Sequence, residues 1–179
     1  MTDSERTQIN QYIEQIAQGS YTAIDSLAQM VSGRMLSVAL SVVRNRALAE
    51  DVVQDSFLRI LSKAATFRKG TNGYAWICKI VHNTALNALR RERRFRALNY
   101  DDLPFLSDDC PTEDNLVAAA AVQQAIKELT EREKQLIYQK YFMEFTVRDS
   151  ARATGISKSE VQRTVARAEA KLKASLTVG

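Results

Sequence analysis

Histidine occurs once and cysteine twice in this 179-residue chain. Cys78 and Cys110 have neither pairing nor metal-ligand spacing, so no disulfide framework and no zinc site is indicated, and a reducing compartment, the cytoplasm, is expected. Six glycines and two prolines leave little to interrupt helices. Strict alternation of apolar and polar residues is scarce, which argues against sheets, whereas a 3.6-residue apolar period runs through long stretches. No apolar run reads as long enough to cross a bilayer, and the N-terminus, with Asp3, Glu5, Arg6 and Gln8, lacks the apolar centre of a secretion signal. Nothing points to a cofactor, a metal or a small-molecule substrate. What is present is 45% hydrophobic and 26% charged, enough to bury a real core. The expectation is an all-α protein of two small helical domains, residues 1–97 and 116–179, joined by an acidic linker at 98–115.

The net charge of +4 matters less than its distribution. Arginines crowd at 90 to 96 and basic residues recur from Lys158 to Lys173, while Ala97 to Ile126 holds acids and no Lys or Arg. The stretch Tyr74 to Arg96 reads as one helix. Ile77, Cys78, Val81, Ala85, Ala88 and Leu89 fall on an inward side, and Trp76, Lys79, Asn83, Asn87, Arg90 and Arg94 project opposite, with Ile80 and Arg91 at the edge. Cations neutralise phosphates, amides read base edges and an aromatic face stacks on a base that has left the duplex. A solvated face with the Trp folded back into the core fits the same residues.

Upstream, apolar positions from Thr7 to Val31 read as two short helices broken at Gly19 and Ser20, and Met35 to Val43 as a third, ended by Asn45 in a left-handed conformation. The helix from Ala47 to Ala64 is expected to bury Ala49, Val53, Phe57, Ile60 and Ala64. Outside it leaves Glu50, Asp51, Gln54, Asp55 and Leu58, either a docking surface for a basic partner or an amphipathic helix whose acids favour its dipole. Phe67 to Gly73 reads as a flexible polar loop. Downstream, Asp101, Asp102, Asp108, Asp109, Glu113 and Asp114, with Pro104 and Pro111, mark the linker, inert on physics alone.

The second domain has clearer punctuation. Thr130 with Glu133 makes a capping box, followed by Leu136, Ile137 and Tyr141 as a buried side. A short helix from Thr146 to Thr154, a turn at Gly155, Ile156 as a plug, and a second box at Ser157 and Glu160 open the last helix. That is helix-turn-helix order, though a plain helical hairpin has it too. Val161, Val165, Ala168 and Leu172 share the inner face, and Ser159, Gln162, Arg163 and Arg167 the outer.

Taken together, Ala49-Glu50-Asp51-Val52-Val53-Gln54-Asp55-Ser56-Phe57, then Trp76-Ile77-Cys78-Lys79-Ile80-Val81-His82-Asn83, Arg90-Arg91 and the helix-turn-helix resemble the bacterial extracytoplasmic-function sigma factors of the sigma-70 family. The resemblance covers nearly the whole chain. It implies a dissociable, non-catalytic subunit of two domains, similar to sigma regions 2 and 4, whose partners are core RNA polymerase (beta-prime clamp helices and beta flap), promoter DNA and commonly an anti-sigma factor. Asp51, Gln54, Asp55 and Leu58 would dock on the clamp helices. Trp76, Lys79, Asn83, Asn87, Arg90, Arg91 and Arg94, with the loop before them, would capture unstacked minus-ten bases. Lys158, Ser159, Gln162, Arg163 and Arg167 would read the minus-thirty-five duplex. The linker would thread toward the polymerase active site. There are departures: Asn87 stands where Asp is common, Asp55 replaces Glu, and Ser150 replaces an apolar anchor unless Val147 substitutes.

Two other classes are distinguishable. A stand-alone helix-turn-helix regulator accounts for Ser157 to Lys173 but leaves the acidic helix and the basic Trp face unexplained. An enzyme would rest on Cys78 and His82, four apart on one helix, but both lie on or beside its buried side and no third orienting group is evident.

Overall fold

The computed structural model describes residues 1–98 and 125–177. The chain divides into two units, Met1–Asp108 and Asp109–Gly179, and every regular element among the described residues is helical. From residue 99 onward the expected acidic linker, with Cys110, lies outside the described residues.

In the N-terminal unit α1 (Asp3–Ala17), α2 (Thr22–Val43), α3 (Arg46–Lys63), a 3-10 turn (Ala64–Thr66) and α4 (Gly73–Leu98) form a bundle. Its axis is α2, on which α1, α3 and α4 all pack, and which buries Leu27, Val31, Met35, Val38 and Ala39. The two helices expected on either side of Ser32-Gly33-Arg34 are therefore one. Nothing there forces a break: the Ser32 hydroxyl donates to the Ala28 carbonyl inside the helix, and Gly33 lies on an exposed side with open space around it. Made continuous, α2 is long and apolar enough to cross a bilayer by length and composition, contrary to the expectation. In this fold its apolar side is covered by its three neighbours.

The α2 to α3 junction also shifts by one residue. Arg44, not Asn45, takes the left-handed conformation at φ 52. Asn45 is extended and caps α3, its Oδ1 accepting the Leu48 N–H at 2.9 Å. On α3 the buried line is Ala49, Val52, Ser56 and Ile60, while Val53 and Phe57, expected inside, are half-buried. Ser56 can sit at 0% exposure because its hydroxyl donates to the Val52 carbonyl at 2.6 Å. Along α4 the residues Tyr74, Ile77, Cys78, Val81, Ala85 and Ala88 are buried as a continuous line, with His82 beside them. Leu89, expected inside, is half-buried.

A helical turn at 125–127 precedes α5 (Glu131–Tyr141), α6 (Val147–Thr154) and α7 (Lys158–Thr177) in the C-terminal unit. Leu136, Val161 and Val165 form its core, with Ile137, Ala151 and Ile156 packed around them. Removing a side chain such as Leu136 from water contributes about 2 kcal/mol. Thr130 and Glu133 make the expected capping box, Thr146 and Asp149 make another, and Gly155 ends α6 at φ 73, where a side chain would be strained. Two expectations fail here. Tyr141 is 62% exposed rather than buried, lying at the surface with its hydroxyl donating to Glu169 on α7 at 2.8 Å. Val147 does not replace the missing apolar anchor: it is exposed, and Ser150 itself takes the buried place.

Candidate nucleic-acid interface

The outer side of α4 is set by its register. With Tyr74, Ile77, Val81 and Ala85 locked inward, residues displaced by half a turn must face out, and Asn83, Asn87, Arg90, Arg91 and Arg94 are all exposed. Spacings of three and four place them in one stripe. The arginines sit toward the C-terminal end of α4, where the helix dipole favours cations, and Arg94 Nε donates to the Arg90 carbonyl at 3.4 Å. Trp76 and Lys79 depart from full projection and are half-buried. The indole packs against buried Phe67 at 5.5 Å between centroids and 59° between planes, so part of one ring is used by the fold and part is open.

The loop that feeds α4 is tied down rather than merely flexible. Phe67 is buried at its start. At its end Asn72 Oδ1 accepts the Ala75 N–H at 3.0 Å, capping α4. Between them Asn10 of α1 binds two loop backbone groups, and Lys69 pairs with Glu14 at 2.9 Å. Arg68 and Lys69 add exposed cations beside Trp76's helix.

On α3, Asp51, Gln54 and Leu58 are exposed, Leu58 at 65%, and Asp55 is half-exposed. Asp55 Oδ2 lies 3.8 Å from the Arg91 guanidinium, so the structure brings an acid of this helix to the edge of the α4 stripe.

In the other unit Lys158, Ser159, Gln162, Arg163 and Arg167 are all exposed along α7. The Glu160 N–H donates to Ser157 Oγ at 3.2 Å as expected of the cap, while the Glu160 carboxylate reaches Arg132 of α5. Arg167 is not a freely moving contact. Its Nε donates to Glu133 Oε1 at 2.9 Å, and Lys171 Nζ donates to Glu133 Oε2 at 2.9 Å. Glu133 itself is fully buried. The Lys171 ammonium, the Thr130 backbone N–H and the Arg167 guanidinium hold its carboxyl well below the usual range, at about 2. Its capping box was visible locally, but nothing near it in sequence announces Arg167 and Lys171. Burial alone pushes the His82 imidazole of α4 down. Among the described residues no group of three His, Cys, Asp or Glu could hold a metal ion.

Residues 27–95 match the family model of sigma-70 region 2, and residues 119–172 match that of sigma-70 region 4, together most of the chain and in the family's order. The chain belongs to the extracytoplasmic-function sigma factors of the sigma-70 family. It is thus an RNA polymerase sigma factor. The sigma factor is similar to RNA polymerase sigma factor SigV of Bacillus subtilis, 28% identical over 78% of this chain and 82% of that one. It is also similar to the ECF sigma factor SigM of Mycobacterium tuberculosis, 26% identical over 86% and 77%. Among solved structures its fold matches RpoE in complex with the anti-sigma factor NepR from Bartonella quintana, at TM-score 0.61 and 22% identity over 86% of this chain and 96% of that one. It matches CnrH in complex with the cytosolic domain of CnrY at TM-score 0.57 and 21% identity over 96% and 98%. In this sigma factor α1 precedes the matched residues.

Proposed function

We propose that this sigma factor docks on core RNA polymerase in the cytoplasm through Asp51, Gln54, Asp55 and Leu58, and melts the minus-ten element by trapping unstacked bases. The trap is the α4 stripe from Trp76 through Lys79, Asn83, Asn87, Arg90 and Arg91 to Arg94, with the loop that precedes it. The observation that carries this reading is the stripe itself: three exposed guanidiniums, two exposed amides and a half-buried indole lie on one side of one helix. Flipping a base costs a few kcal/mol, and base–aromatic stacking returns about 1–3 kcal/mol per base. Arginines on the neighbouring phosphates add to that, so melting needs no ATP. Lys158, Ser159, Gln162, Arg163 and Arg167 would read the minus-thirty-five duplex, with the first four at the N-terminal half of α7 nearest base edges and Arg167 held by Glu133 for a phosphate. Residues 98–115 would be the linker between the domains 1–97 and 116–179, threading the polymerase with its carboxylates. An anti-sigma protein is a further partner: RpoE and CnrH, which share the fold, were solved with NepR and with the cytosolic domain of CnrY. Such a protein would cover the α3 and α4 surfaces.

Run-off transcription with purified core polymerase and a pool of genomic promoter fragments from the source organism, with and without the protein, tests the reading. Defined transcripts are expected only when both are present. Duplex binding by the protein alone, without any gain in promoter-specific initiation, would instead identify a stand-alone helix-turn-helix regulator.

A further inference from the structure

We propose that Asn10 of α1 is a positioning residue that fixes the path of the 67–73 loop and thereby the base selectivity of minus-ten capture; this rests on the reading of that loop and α4 as the site for unpaired bases. The contact is specific. Asn10 Nδ2 donates to the Thr71 carbonyl at 2.9 Å, and the Gly73 N–H donates to Asn10 Oδ1 at 2.8 Å. One primary amide, with its paired donor and acceptor, therefore serves a carbonyl and an N–H two residues apart on a strand of loop 61 and 63 residues away in sequence.

The anchor behind this amide is rigid. Ile9 and Ile13, which flank Asn10 on α1, are both at 0% exposure. The approach is also close: a Cβ at Gly73 would stand 2.4 Å from Asn10 Oδ1 and 2.8 Å from Ile13 Cδ1, so a larger residue there would push the Asn10 amide and the Ile13 side chain aside. On the far side of the contact the chain makes a tight turn. Gly70 takes φ 76, and Thr71 returns both its N–H, at 3.2 Å, and its hydroxyl, at 2.6 Å, to the Arg68 carbonyl. Residues 68–72 are exposed. The loop is thus fixed at Phe67 by Trp76, at Thr71 and Gly73 by Asn10, and at Asn72 by its cap on α4. Two of the holds come from α1, the exposed Glu14–Lys69 pair and the Asn10 amide, and of these Asn10 grips the loop backbone directly and so sets how far the turn stands from the Trp76 end of the stripe. A flipped base lodged there would meet loop backbone at a height decided by α1.

The test uses holoenzyme assembled from core polymerase and wild-type, Asn10→Asp, Asn10→Ala or Glu14→Gln protein. Binding is measured to fluorescent single-stranded oligonucleotides carrying each of the four bases at every minus-ten position, the element being read from the wild-type start sites. Asn10→Asp is nearly isosteric and keeps the acceptor for Gly73 while setting an oxygen against the Thr71 carbonyl, so it separates loop position from folding; thermal melting and core affinity serve as controls. Asn10→Asp, which loses one of the two hydrogen bonds, is expected to lower discrimination at one position by about five- to tenfold, and Asn10→Ala, which loses both, by at least as much, with core affinity within about twofold. Glu14→Gln, which loosens only the exposed Lys69 tether, is expected to give a smaller change of the same kind. Equal weakening for all bases at every position, or no change in any variant, would overturn the proposal and leave Asn10 a purely structural residue. If wild-type holoenzyme holds no single-stranded minus-ten oligonucleotide at all, the reading of the loop falls first and the proposal with it, an outcome visible before any substitution is compared.

Discussion

Asp55 of α3 and Arg91 of α4 face each other across 3.8 Å at the surface of the N-terminal unit, with side-chain exposures of 48% and 69%. One belongs to the proposed polymerase face and the other to the proposed DNA face, so the two faces meet at an ion pair. Exposed pairs of this kind contribute about 0–1 kcal/mol, which makes the contact easy for a basic clamp helix or a phosphate to displace.

Asp55→Ala is therefore expected to change folding stability by less than about 1 kcal/mol. Its effect should be in binding: affinity for core polymerase is expected to fall by about three- to tenfold, mainly through slower and more salt-sensitive association. At saturating core, affinity for single-stranded minus-ten DNA should not fall, since Arg91 loses only a competitor. Titration of labelled core followed by oligonucleotide binding measures both, and a parallel loss in the two would show that the pair holds the stripe in shape.

Arg90→Ala with Arg94→Ala should separate melting from docking in the other direction. Removing two phosphate contacts to a single strand lowers the log–log salt slope by about 1.4. Open-complex formation, followed by fluorescence of a base analogue in the minus-ten element, is expected to weaken severalfold more than core affinity. Equal losses in both would count against assigning docking to α3 and melting to α4.

How much of this was readable without coordinates follows from the range of each interaction. Local rules found the α4 register, the Gly155 turn and the Thr130 cap, because period and capping chemistry operate within a few residues. They failed by one position at Asn45, since Arg44 took the left-handed place and freed Asn45 to cap α3. They also misplaced Ser56 and Phe57: hydropathy ranks Phe inward, yet a serine that satisfies its hydroxyl on its own helix is fully buried. The contacts that shape the candidate sites were least legible. Asn10 to Thr71 and Glu133 to Arg167 and Lys171 join residues 61, 34 and 38 positions apart, beyond any pattern within one element.

His82 gives the N-terminal unit a pH dependence. Burial lowers its pKa below the ordinary 6.5, so as pH falls through 6.5 the unfolded chain takes up a proton that the folded chain resists, and stability declines. Melting followed through the fluorescence of Trp76, the single tryptophan, is expected to show a falling midpoint below pH 6.5 that is flattened in His82→Gln. A variant with the wild-type slope would place the titrating group elsewhere.

Glu133 acts on the C-terminal unit over a lower range. Its carboxyl has an ordinary value of 4.5 and a folded value of about 2. Between those limits the unfolded chain binds the proton first, so the stability supplied by the ionised carboxylate is complete above about pH 4.5 and is lost progressively down to about pH 2. Glu133→Gln keeps an oxygen for the Thr130 cap but removes the charge that Arg167 and Lys171 share. Breaking a buried pair costs about 3–5 kcal/mol, and because Arg167 and Lys171 remain partly in water the expected loss at neutral pH is nearer about 2 kcal/mol. Amide exchange of α5 and α7 across pH, in the wild type and the variant, is expected to show that difference at pH 7 and its shrinkage as pH falls from 4.5 toward 2. A difference independent of pH would mean that Glu133 stabilises the unit through its cap and packing alone, and that Arg167 is held on α7 by something other than the carboxylate beneath it.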